Sequence, residues 1–443
     1  MGTYFGTDGF RGEVNRILTT EHAFAVGRFL GAHFQESGHP RVLVGKDTRR
    51  SSYTLEYALA AGLTASGADA HLLHVIPTPG VAFLTQRGGF DCGIMISASH
   101  NSFEDNGIKL FDRRGEKMDD AVITLLERYL DQALPLPHAT GEHIGVVVDD
   151  SMARDRYVDQ LLSFSEFSLQ GLRIGLDVAN GSAHRIAPRV LRTLGASVFV
   201  VHNDPDGCNI NRECGSTHVA DLQRLVIEKS LDVGFALDGD ADRCIAVDHL
   251  GRVIDGDGIL YVMGGYFKEQ GRLKGQTVVT TVMSNEGLRH ALDERGILCE
   301  VTAVGDRFVH DRMQKNGYVL GGEPSGHVIL GEYCPTGDGI LTAMKLAERL
   351  VDTGHTLGEL TAGYHPYPQL LTNVSVSDPK KAVCDPRVAA AVSLVQTQLA
   401  GRGRALVRAS GTEPVVRILI EADDPALCKT HAAVIIAALK ECF

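Results

Sequence analysis

The sequence contains no tryptophan, and its nine cysteines include no C-x-x-C pair. An odd, scattered set of cysteines argues against a disulfide framework and against a zinc site. Cysteine usage of this kind is typical of a reducing compartment, so we expect a cytoplasmic protein in which Cys208 and Cys214 are structural. Without tryptophan, any stacking on a ligand would have to use tyrosine, phenylalanine or histidine.

Long apolar runs are also lacking, and none approaches the ~18 residues that a membrane helix needs. The opening MGTYFGTDGFRGEV is glycine-rich and polar, which is not the pattern of a signal peptide. Acidic residues are in excess, with a formal net charge of −12. This charge disfavours nucleic acid or an anionic membrane as partner, although a local cluster of basic residues could still bind a small anion. We expect a monomer or homodimer.

Alternation of short β-rich runs with helical patterns predicts an α/β protein whose sheets contain parallel strands and crossover helices. The predicted strands are Val42–Val44, Ile94–Ile96, Ile144–Val148, Ile174–Leu176, Val198–Val201, Val233–Leu237 and Val278–Val282. The predicted helices include Glu21–Phe34, Tyr53–Ala65 and Leu222–Glu228. Asp257 and Asp338 are candidate N-caps of two further helices.

A weak internal repeat indicates the domain organisation. The segments RVLVGKDTRRSS, LRIGLDVANGSA and QTVVTTVMSNEG each read as a buried strand followed by a polar loop and a helix. They predict three similar α/β domains with mixed, mostly parallel sheets, at 1–150, 151–254 and 255–367. After the linker-like YHPYPQL, residues 368–443 predict a small α+β domain with a hairpin of Ala405–Ala409 and Val415–Glu421.

The segment LDGDADR follows the predicted strand Val233–Leu237 and carries Asp238, Asp240 and Asp242. On an extended chain these same-face carboxylates would be ~6.6 Å apart, whereas Mg²⁺ needs oxygens at about 2.0–2.1 Å. The backbone must therefore curl, which the small residues between the acids permit. The spacing is not that of an EF-hand loop. A metal site is favoured over a solvated acidic loop because three packed carboxylates repel one another without a cation.

Ser99 and His100 lie in ISASHNSFEDNGIKLF, a loop of small residues after another apolar strand. The segment lacks Gly-x-Ser-x-Gly, which argues against a serine hydrolase. Lys109 would supply a positive charge or a proton. The residues alone leave open whether Ser99 is a nucleophile or a plain ligand contact.

Hydroxyls and backbone N–H groups are concentrated in the predicted hairpin RASGTEPVVR. Arg408, Ser410, Gly411 and Thr412 would make a phosphate cradle, and a simple hairpin turn is the alternative.

Two glycine-rich segments complete the set. GGEPSGH places Glu323, Ser325 and His327 at alternate positions, a spacing suited to neighbouring hydroxyls of a ligand or to an ordinary polar loop. GTDGFRG contains Arg11, a candidate for a phosphate contact.

Together, GTDGFRG, SASHN, DGDADR, GEPSGH and RASGTEP resemble, in this order and over essentially the whole chain, the α-D-phosphohexomutase family. The segments PDGCNINRECGSTH, TVMSNEGL and VGDRFVHDRM are similar to the branch of that family acting on glucosamine phosphates. Two positions depart from the usual motifs. In the family's usual motifs a proline follows SASHN, where this chain has Ser102. A glutamine is usual at the position of Pro324 in GEPSGH.

The resemblance implies four domains around a central cleft, the last closing as a lid over the substrate. It implies that Ser99 carries a phosphoryl group and, with Asp238, Asp240 and Asp242, binds one Mg²⁺. Glu323 and Ser325 would contact sugar hydroxyls. The residues implied to hold the phosphate that is not being transferred are Arg408, Ser410, Gly411 and Thr412. Those implied to line the transfer site are Arg11, His100, Lys109, Arg243 and His327.

The implied reaction interconverts glucosamine 6-phosphate and glucosamine 1-phosphate, with glucosamine 1,6-bisphosphate as intermediate and activator, on the route to UDP-N-acetylglucosamine. Lys109 and His327 are candidates for proton transfer. Charge balance favours Arg243, Lys109 and Arg11 near the phosphate, since three Asp and a phosphoserine carry roughly −5. The alternatives are a phosphomannomutase or phosphoglucomutase, a Mg²⁺-dependent sugar-phosphate phosphatase, and a catalytically silent sugar-phosphate binder.

Overall fold

The computed structural model describes residues 4–6, 8–35, 38–132, 135–410 and 414–442. The chain divides into two compact units, Met1–Met283 with Cys299–Thr361, and Ser284–Leu298 with Ala362–Phe443. No helix among the described residues is both long and apolar enough to cross a lipid bilayer.

A seven-stranded mixed sheet opens the first unit, with strand order β1-β2-β6-β5-β3-β4-β7. Its strands are β1 (Phe5–Gly6), β2 (Gly9–Glu13), β3 (Arg41–Lys46), β4 (Asp69–Val75), β5 (Cys92–Ile96), β6 (Asp105–Asp112) and β7 (Val147–Asp149). Its helices are α1 (Thr20–His33), α2 (Arg50–Ala65), α3 (Thr78–Gly88) and α4 (Asp120–Gln132). Helices α1 and α2 pack closely because Gly27 has no side chain, as a Cβ there would collide with the Leu59 carbonyl oxygen.

A five-stranded mixed sheet follows, in the order β12-β11-β10-β8-β9. Its strands are β8 (Arg173–Asp177), β9 (Ser197–Val201), β10 (Val233–Leu237), β11 (Cys244–Asp248) and β12 (Val253–Ile254). Its helices are α5 (Arg154–Ser163), α6 (Ile186–Thr193) and α7 (Ala220–Glu228). Strand β10 is fully buried, parallel to β8 and antiparallel to β11. The residues that follow its last position therefore emerge from the middle of the sheet.

A third sheet has the order β14-β13-β15-β16. Its strands are β13 (Thr277–Thr281), β14 (Leu298–Thr302), β15 (Leu320–Gly322) and β16 (Val328–Leu330). Helices of the first unit in this part of the chain are α8 (Gly256–Glu269), α10 (Asp306–Asn316), α11 (Gly339–Thr353) and α12 (Leu357–Leu360). Asp338 caps α11, as predicted, but the predicted cap Asp257 lies inside α8. Asp255 caps α8 instead, because the helix begins two residues earlier than the sequence pattern suggested.

The second unit contains an antiparallel sheet in the order β17-β19-β18. Its strands are β17 (Gln369–Ser375), β18 (Gly403–Ala409) and β19 (Val415–Ala422). Its helices are α9 (Glu286–Glu294), α13 (Pro379–Cys384), α14 (Pro386–Gln398) and α15 (Pro425–Cys442). Buried apolar side chains of β19, α14 and α15, among them Ile418, Val395 and Ile435, form its core.

These sheets confirm the predicted class of three α/β parts and a C-terminal α+β part. Strand β10 has the predicted bounds, whereas the predicted strand Ile144–Val148 is shorter and later, at Val147–Asp149. The largest difference is Asp105–Asp112, which we expected to be loop and which is the buried strand β6. Lys109 interrupts the apolar residues of this segment, so the local pattern did not indicate a strand.

Candidate active site

Ser99 lies in the loop that follows strand β5. Its backbone φ of 51° is in the left-handed region, which residues other than glycine seldom adopt. The side chain is buried, with 1% of the residue exposed, and the Ser99 N–H donates a hydrogen bond to Ser97 Oγ at 2.9 Å. Strained, tightly held backbone of this kind is concentrated at functional sites.

Two side chains that the sequence analysis did not identify hold this loop in place. Arg49 Nη2 donates to the carbonyl oxygens of Ser99 and Asn101 at 3.1 and 2.7 Å. Asn211 Nδ2 donates to the same two oxygens at 2.8 and 2.9 Å. Arg49 is fully buried and also pairs with Asp47. The only signal for these two residues was their position in the segments RVLVGKDTRRSS and PDGCNINRECGSTH.

The carboxylates of Asp238, Asp240 and Asp242 converge directly after strand β10. One oxygen from each lies within 4.8 Å of the others, and all three residues are buried. The backbone curls between them, with Ala241 at a φ of 56°. Thr78 Oγ1 donates to Asp240 Oδ2 at 2.5 Å, which fixes the second carboxylate from helix α3.

The serine loop and the aspartate loop are in direct contact. Ser99 Oγ donates a hydrogen bond to Asp238 Oδ2 at 2.5 Å. Gly239 permits this approach, because a Cβ there would lie 2.7 Å from the Ser99 carbonyl oxygen. The hydroxyl and the acid cluster therefore form one site.

Lys109, on strand β6, is the cation inside the cluster. Its Nζ lies 2.6 Å from Asp240 Oδ2 and 3.0 Å from Asp242 Oδ2. Burial lowers the pKa of Lys109, but the charges of the two aspartates outweigh burial and raise it above the ordinary value. Burial raises the pKa of Asp242, but Lys109 and His327 outweigh it and hold that pKa well below the ordinary range. Burial and the other two carboxylates raise the pKa of Asp238.

Two carboxylate oxygens of the acid cluster could still bind a cation. Asp240 Oδ1 and Asp242 Oδ1 are buried and have no hydrogen-bond partner in the described part of the chain. Buried carboxylate oxygens without a donor are costly, so their presence fits a site for a cation. Oxygen-only ligands are those that Mg²⁺ prefers.

Beside the cluster lies a cavity of about 400 Å³. Its lining brings together the predicted site residues Arg11, His100, Asp242, Arg243, Glu323, Ser325 and His327. Burial and the charges of Arg243 and Arg11 lower the pKa of His100 to about 4, so this imidazole is neutral at pH 7. A cavity with two guanidiniums at an acid cluster is suited to an anionic ligand that also meets a cation.

His327 is buried at the edge of the same cavity. Its Nδ1 lies 3.8 Å from Asp242 Oδ1, and its Nε2 lies 3.7 Å from Asp306 Oδ2. Asp306 in turn pairs with Lys117 at 2.5 Å. Lys117 also lies 3.2 Å from Asp8, so a chain of alternating charges supports the imidazole.

The predicted sugar-binding loop connects strands β15 and β16. Glu323 Oε1 accepts a hydrogen bond from the Gly305 N–H at 3.0 Å, and Ser325 Oγ is buried without a partner among the described residues. The Pro324 carbonyl accepts from the Gly256 N–H at 3.1 Å, which ties the loop to the start of helix α8. Ser325 is thus an available hydrogen-bonding group in the cavity wall.

The remaining predicted residues belong to the second unit. Arg408 is exposed on β18 and faces Arg417 in the strand register. The Ser410 N–H donates to the Val415 carbonyl at 2.9 Å, which closes the predicted hairpin. Gly411 and Thr412 lie outside the described residues.

Sequence comparison assigns the whole chain to one family. Residues 2–135, 155–251 and 255–367 match "Phosphoglucomutase/phosphomannomutase, alpha/beta/alpha" domains I, II and III, and residues 371–438 match the C-terminal domain of that family.

Curated relatives cover the full length. The phosphoglucosamine mutase of Lachnoclostridium phytofermentans is 52% identical over 100% of this chain and 99% of its own. The phosphoglucosamine mutase of Lachnospira eligens is 53% identical over 99% of both chains.

Solved structures agree with the fold. A phosphoglucomutase/phosphomannomutase family protein from Burkholderia thailandensis gives a TM-score of 0.83 at 25% identity, covering 100% of this chain and 98% of its own. Aspergillus fumigatus N-acetylphosphoglucosamine mutase, solved with GlcNAc-6P and magnesium, gives a TM-score of 0.67 at 18% identity, covering 100% and 96%. The chain belongs to the phosphoglucomutase/phosphomannomutase family.

Proposed function

We propose that this protein interconverts glucosamine 6-phosphate and glucosamine 1-phosphate through a phosphorylated Ser99. The observation that carries the proposal is the contact between Ser99 Oγ and Asp238 Oδ2 at 2.5 Å, at the edge of an acid cluster in which two buried oxygens have no hydrogen-bond partner among the described residues. The glucosamine specificity is supported by the relatives at 52% and 53% identity.

We propose that Asp238, Asp240 and Asp242, with an oxygen of phosphorylated Ser99, hold one Mg²⁺. The bound ion would neutralise part of the phosphate charge and orient the phosphoryl group. Lys109 holds its proton because its pKa is raised, which favours a charge-balancing role over proton transfer. Arg243 and Arg11 would offset the remaining negative charge from the cavity side.

The reaction consists of two phosphoryl transfers. In the first, a bond forms between phosphorus and a hydroxyl oxygen of the hexosamine monophosphate, and the Ser99 Oγ–P bond breaks. The substrate hydroxyl gives up its proton and Ser99 Oγ takes one up as the Oγ–P bond breaks, and His327 is the candidate for this proton transfer. The product is glucosamine 1,6-bisphosphate, which turns in the cavity. In the second transfer the other phosphate returns to Ser99 Oγ, and its former sugar oxygen regains a proton.

Water would compete with the sugar hydroxyl, so the phosphoserine must be protected. Burial of Ser99 in the described structure serves this end, and closure of the fourth predicted domain would add to it. Glucosamine 1,6-bisphosphate would also prime an unphosphorylated Ser99.

The substrate contacts extend the proposal. Glu323 and Ser325 would hydrogen-bond the sugar hydroxyls. Arg408, Ser410, Gly411 and Thr412 would hold the phosphate that is not in transfer, because arginine and backbone N–H groups suit that ligand. We propose that the four domains span residues 1–150, 151–254, 255–367 and 368–443. We also propose that the protein is cytoplasmic and is a monomer or homodimer.

Steady-state kinetics test this proposal. The kcat/KM for glucosamine 1-phosphate should exceed the values for glucose 1-phosphate and mannose 1-phosphate when each is assayed with its own bisphosphate. Ser99→Ala should abolish the mutase reaction, whereas Ser102→Ala, an exposed serine in the same loop, should retain it. Full activity in Ser99→Ala would refute the phosphoserine, and a preference for mannose or glucose would refute the specificity alone.

A further inference from the structure

A second cavity in the first unit is lined by several arginines. It has a volume of about 550 Å³ and shares no lining residue with the cavity at the acid cluster. It lies where the seven-stranded and five-stranded sheets of this unit meet, a junction held by Thr48 Oγ1 donating to the Asn180 carbonyl at 2.5 Å. The Arg50 N–H donates to the Gly207 carbonyl at 2.8 Å across the same junction.

Four arginines line this cavity, but only two aspartates do. Arg189 is paired with Asp155 at 2.5 Å. Arg50, Arg154 and Arg185 have no carboxylate oxygen within 4 Å in the described part of the chain. Among the described residues, Arg154 donates to two backbone carbonyls, that of Ser151 at 2.7 Å and that of Val75 at 3.4 Å. In a protein with a net charge of −12, three unpaired guanidiniums on one cavity are an unexpected local excess of positive charge.

A second observation points to a ligand. Ser182 lines the cavity and is 1% exposed, and its Oγ has no hydrogen-bond partner among the described residues. A buried hydroxyl without a partner costs free energy that an acceptor in the cavity would recover. His184 also lines the cavity, and its Nδ1 donates to the Gly181 carbonyl at 3.0 Å, so its proton is already used within the protein.

We propose that this cavity binds a phosphate-bearing small molecule with two or more negative charges. Guanidinium groups bind phosphate oxygens through paired, charge-assisted hydrogen bonds, and the Ser182 hydroxyl would donate one more. The volume is larger than one phosphate needs and is in the range of sites for small organic ligands. Nucleoside diphosphates and sugar phosphates share this chemistry.

Because the chain contains no tryptophan, a single introduced tryptophan can report on binding at this cavity. Tyr53 lines the cavity and is 49% exposed, so Tyr53→Trp places the only indole of the chain at the site. Pyrophosphate, titrated in Mg²⁺-free buffer, should change the fluorescence of this variant with saturation. Adding Arg154→Ala and Arg185→Ala should weaken the apparent affinity at least ~10-fold, because two charge-assisted contacts are lost. Arg224→Ala, an exposed arginine outside the cavity, is the matched control and should have no effect.

Several results would overturn the proposal: no saturable change, an affinity unaffected by the two arginine substitutions, or an equal loss with Arg224→Ala. If Tyr53→Trp does not fold, calorimetric titration of the original chain and of Arg154→Ala/Arg185→Ala decides the question. Loss of a pyrophosphate site supports the proposal, and unchanged stoichiometry and affinity contradict it. Competition by ADP or by glucose 6-phosphate then identifies the source, and failure of both to compete contradicts a site for small organic phosphates.

Discussion

Ser99 Oγ lies 2.5 Å from Asp238 Oδ2, although 139 positions separate the two residues in the chain. The two loops meet because each follows a buried strand, β5 in one sheet and β10 in the next, and because Gly239 leaves room for the serine backbone. A hydroxyl and an acid cluster held at this distance are what a phosphoserine beside a bound cation requires.

Removal of the first carboxylate tests the proposed metal site. Asp238→Asn should weaken Mg²⁺ binding and lower kcat by at least ~100-fold, since losing even an indirect support of a metal ligand costs 10–100-fold. Magnesium titration of activity, with the affinity measured separately by calorimetry, checks the prediction. Unchanged magnesium dependence would show that Asp238 is not a ligand.

Lys109 should be structural in the metal-free protein. Lys109→Met leaves Asp240 and Asp242 without their cation, and breaking a buried ion pair costs about 3–5 kcal/mol. The melting temperature in EDTA should therefore fall by on the order of 5–10 °C, and added Mg²⁺ should restore part of the loss. The exposed Lys229→Met is the control. Equal melting temperatures in EDTA would contradict the charge-balancing role.

Asn211 should act by positioning the serine loop. Asn211→Ala removes the donor shared by the Ser99 and Asn101 carbonyls, and Arg49 remains on both. We expect kcat to fall ~10-fold with little change in KM or in magnesium affinity. Asn209→Ala changes the same segment without touching Ser99 and should retain kcat. A rise in KM alone would contradict the positioning role.

The sequence predicted some residues of this site but not others. The acids and Ser99 stand in short motifs directly after apolar strands, so local pattern located them. Lys109 was identified but placed in a loop, because its contacts depend on the pairing of β6 with β5, where Lys109 lies opposite Met95. Pairing between strands is set by tertiary packing and is not visible in local periodicity.

Arg49 and Asn211 were missed for a related reason. Both act through the backbone carbonyls of a segment at least 50 positions away in the chain, and a side chain's long-range partner leaves no local signal. The shift from Asp257 to Asp255 as the cap of α8 is a smaller error of the kind expected at helix ends.

Asp338 gives a prediction for pH. Burial raises its pKa to about 6, above the ordinary Asp value of about 4. Folding therefore takes up a proton between these values, and the contribution of Asp338 to stability is present at low pH and lost as pH rises through 6. Asp338→Asn can still cap α11 but does not ionise. The melting temperature of Asp338→Asn, relative to that of the unmodified chain, should increase between pH 4 and 7. Over this range the unmodified chain loses up to about 3 kcal/mol of its free energy of unfolding. A difference independent of pH would contradict this.

The central claim is that phosphate rests on Ser99 between two sugar oxygens. The most direct test incubates the protein with glucosamine 1,6-bisphosphate labelled in its phosphates and maps the label by peptide mass spectrometry. The account predicts label on Ser99, which glucosamine 6-phosphate then removes at a rate compatible with turnover. Label on Asp238, or no covalent label in a protein that still turns over substrate, would contradict it.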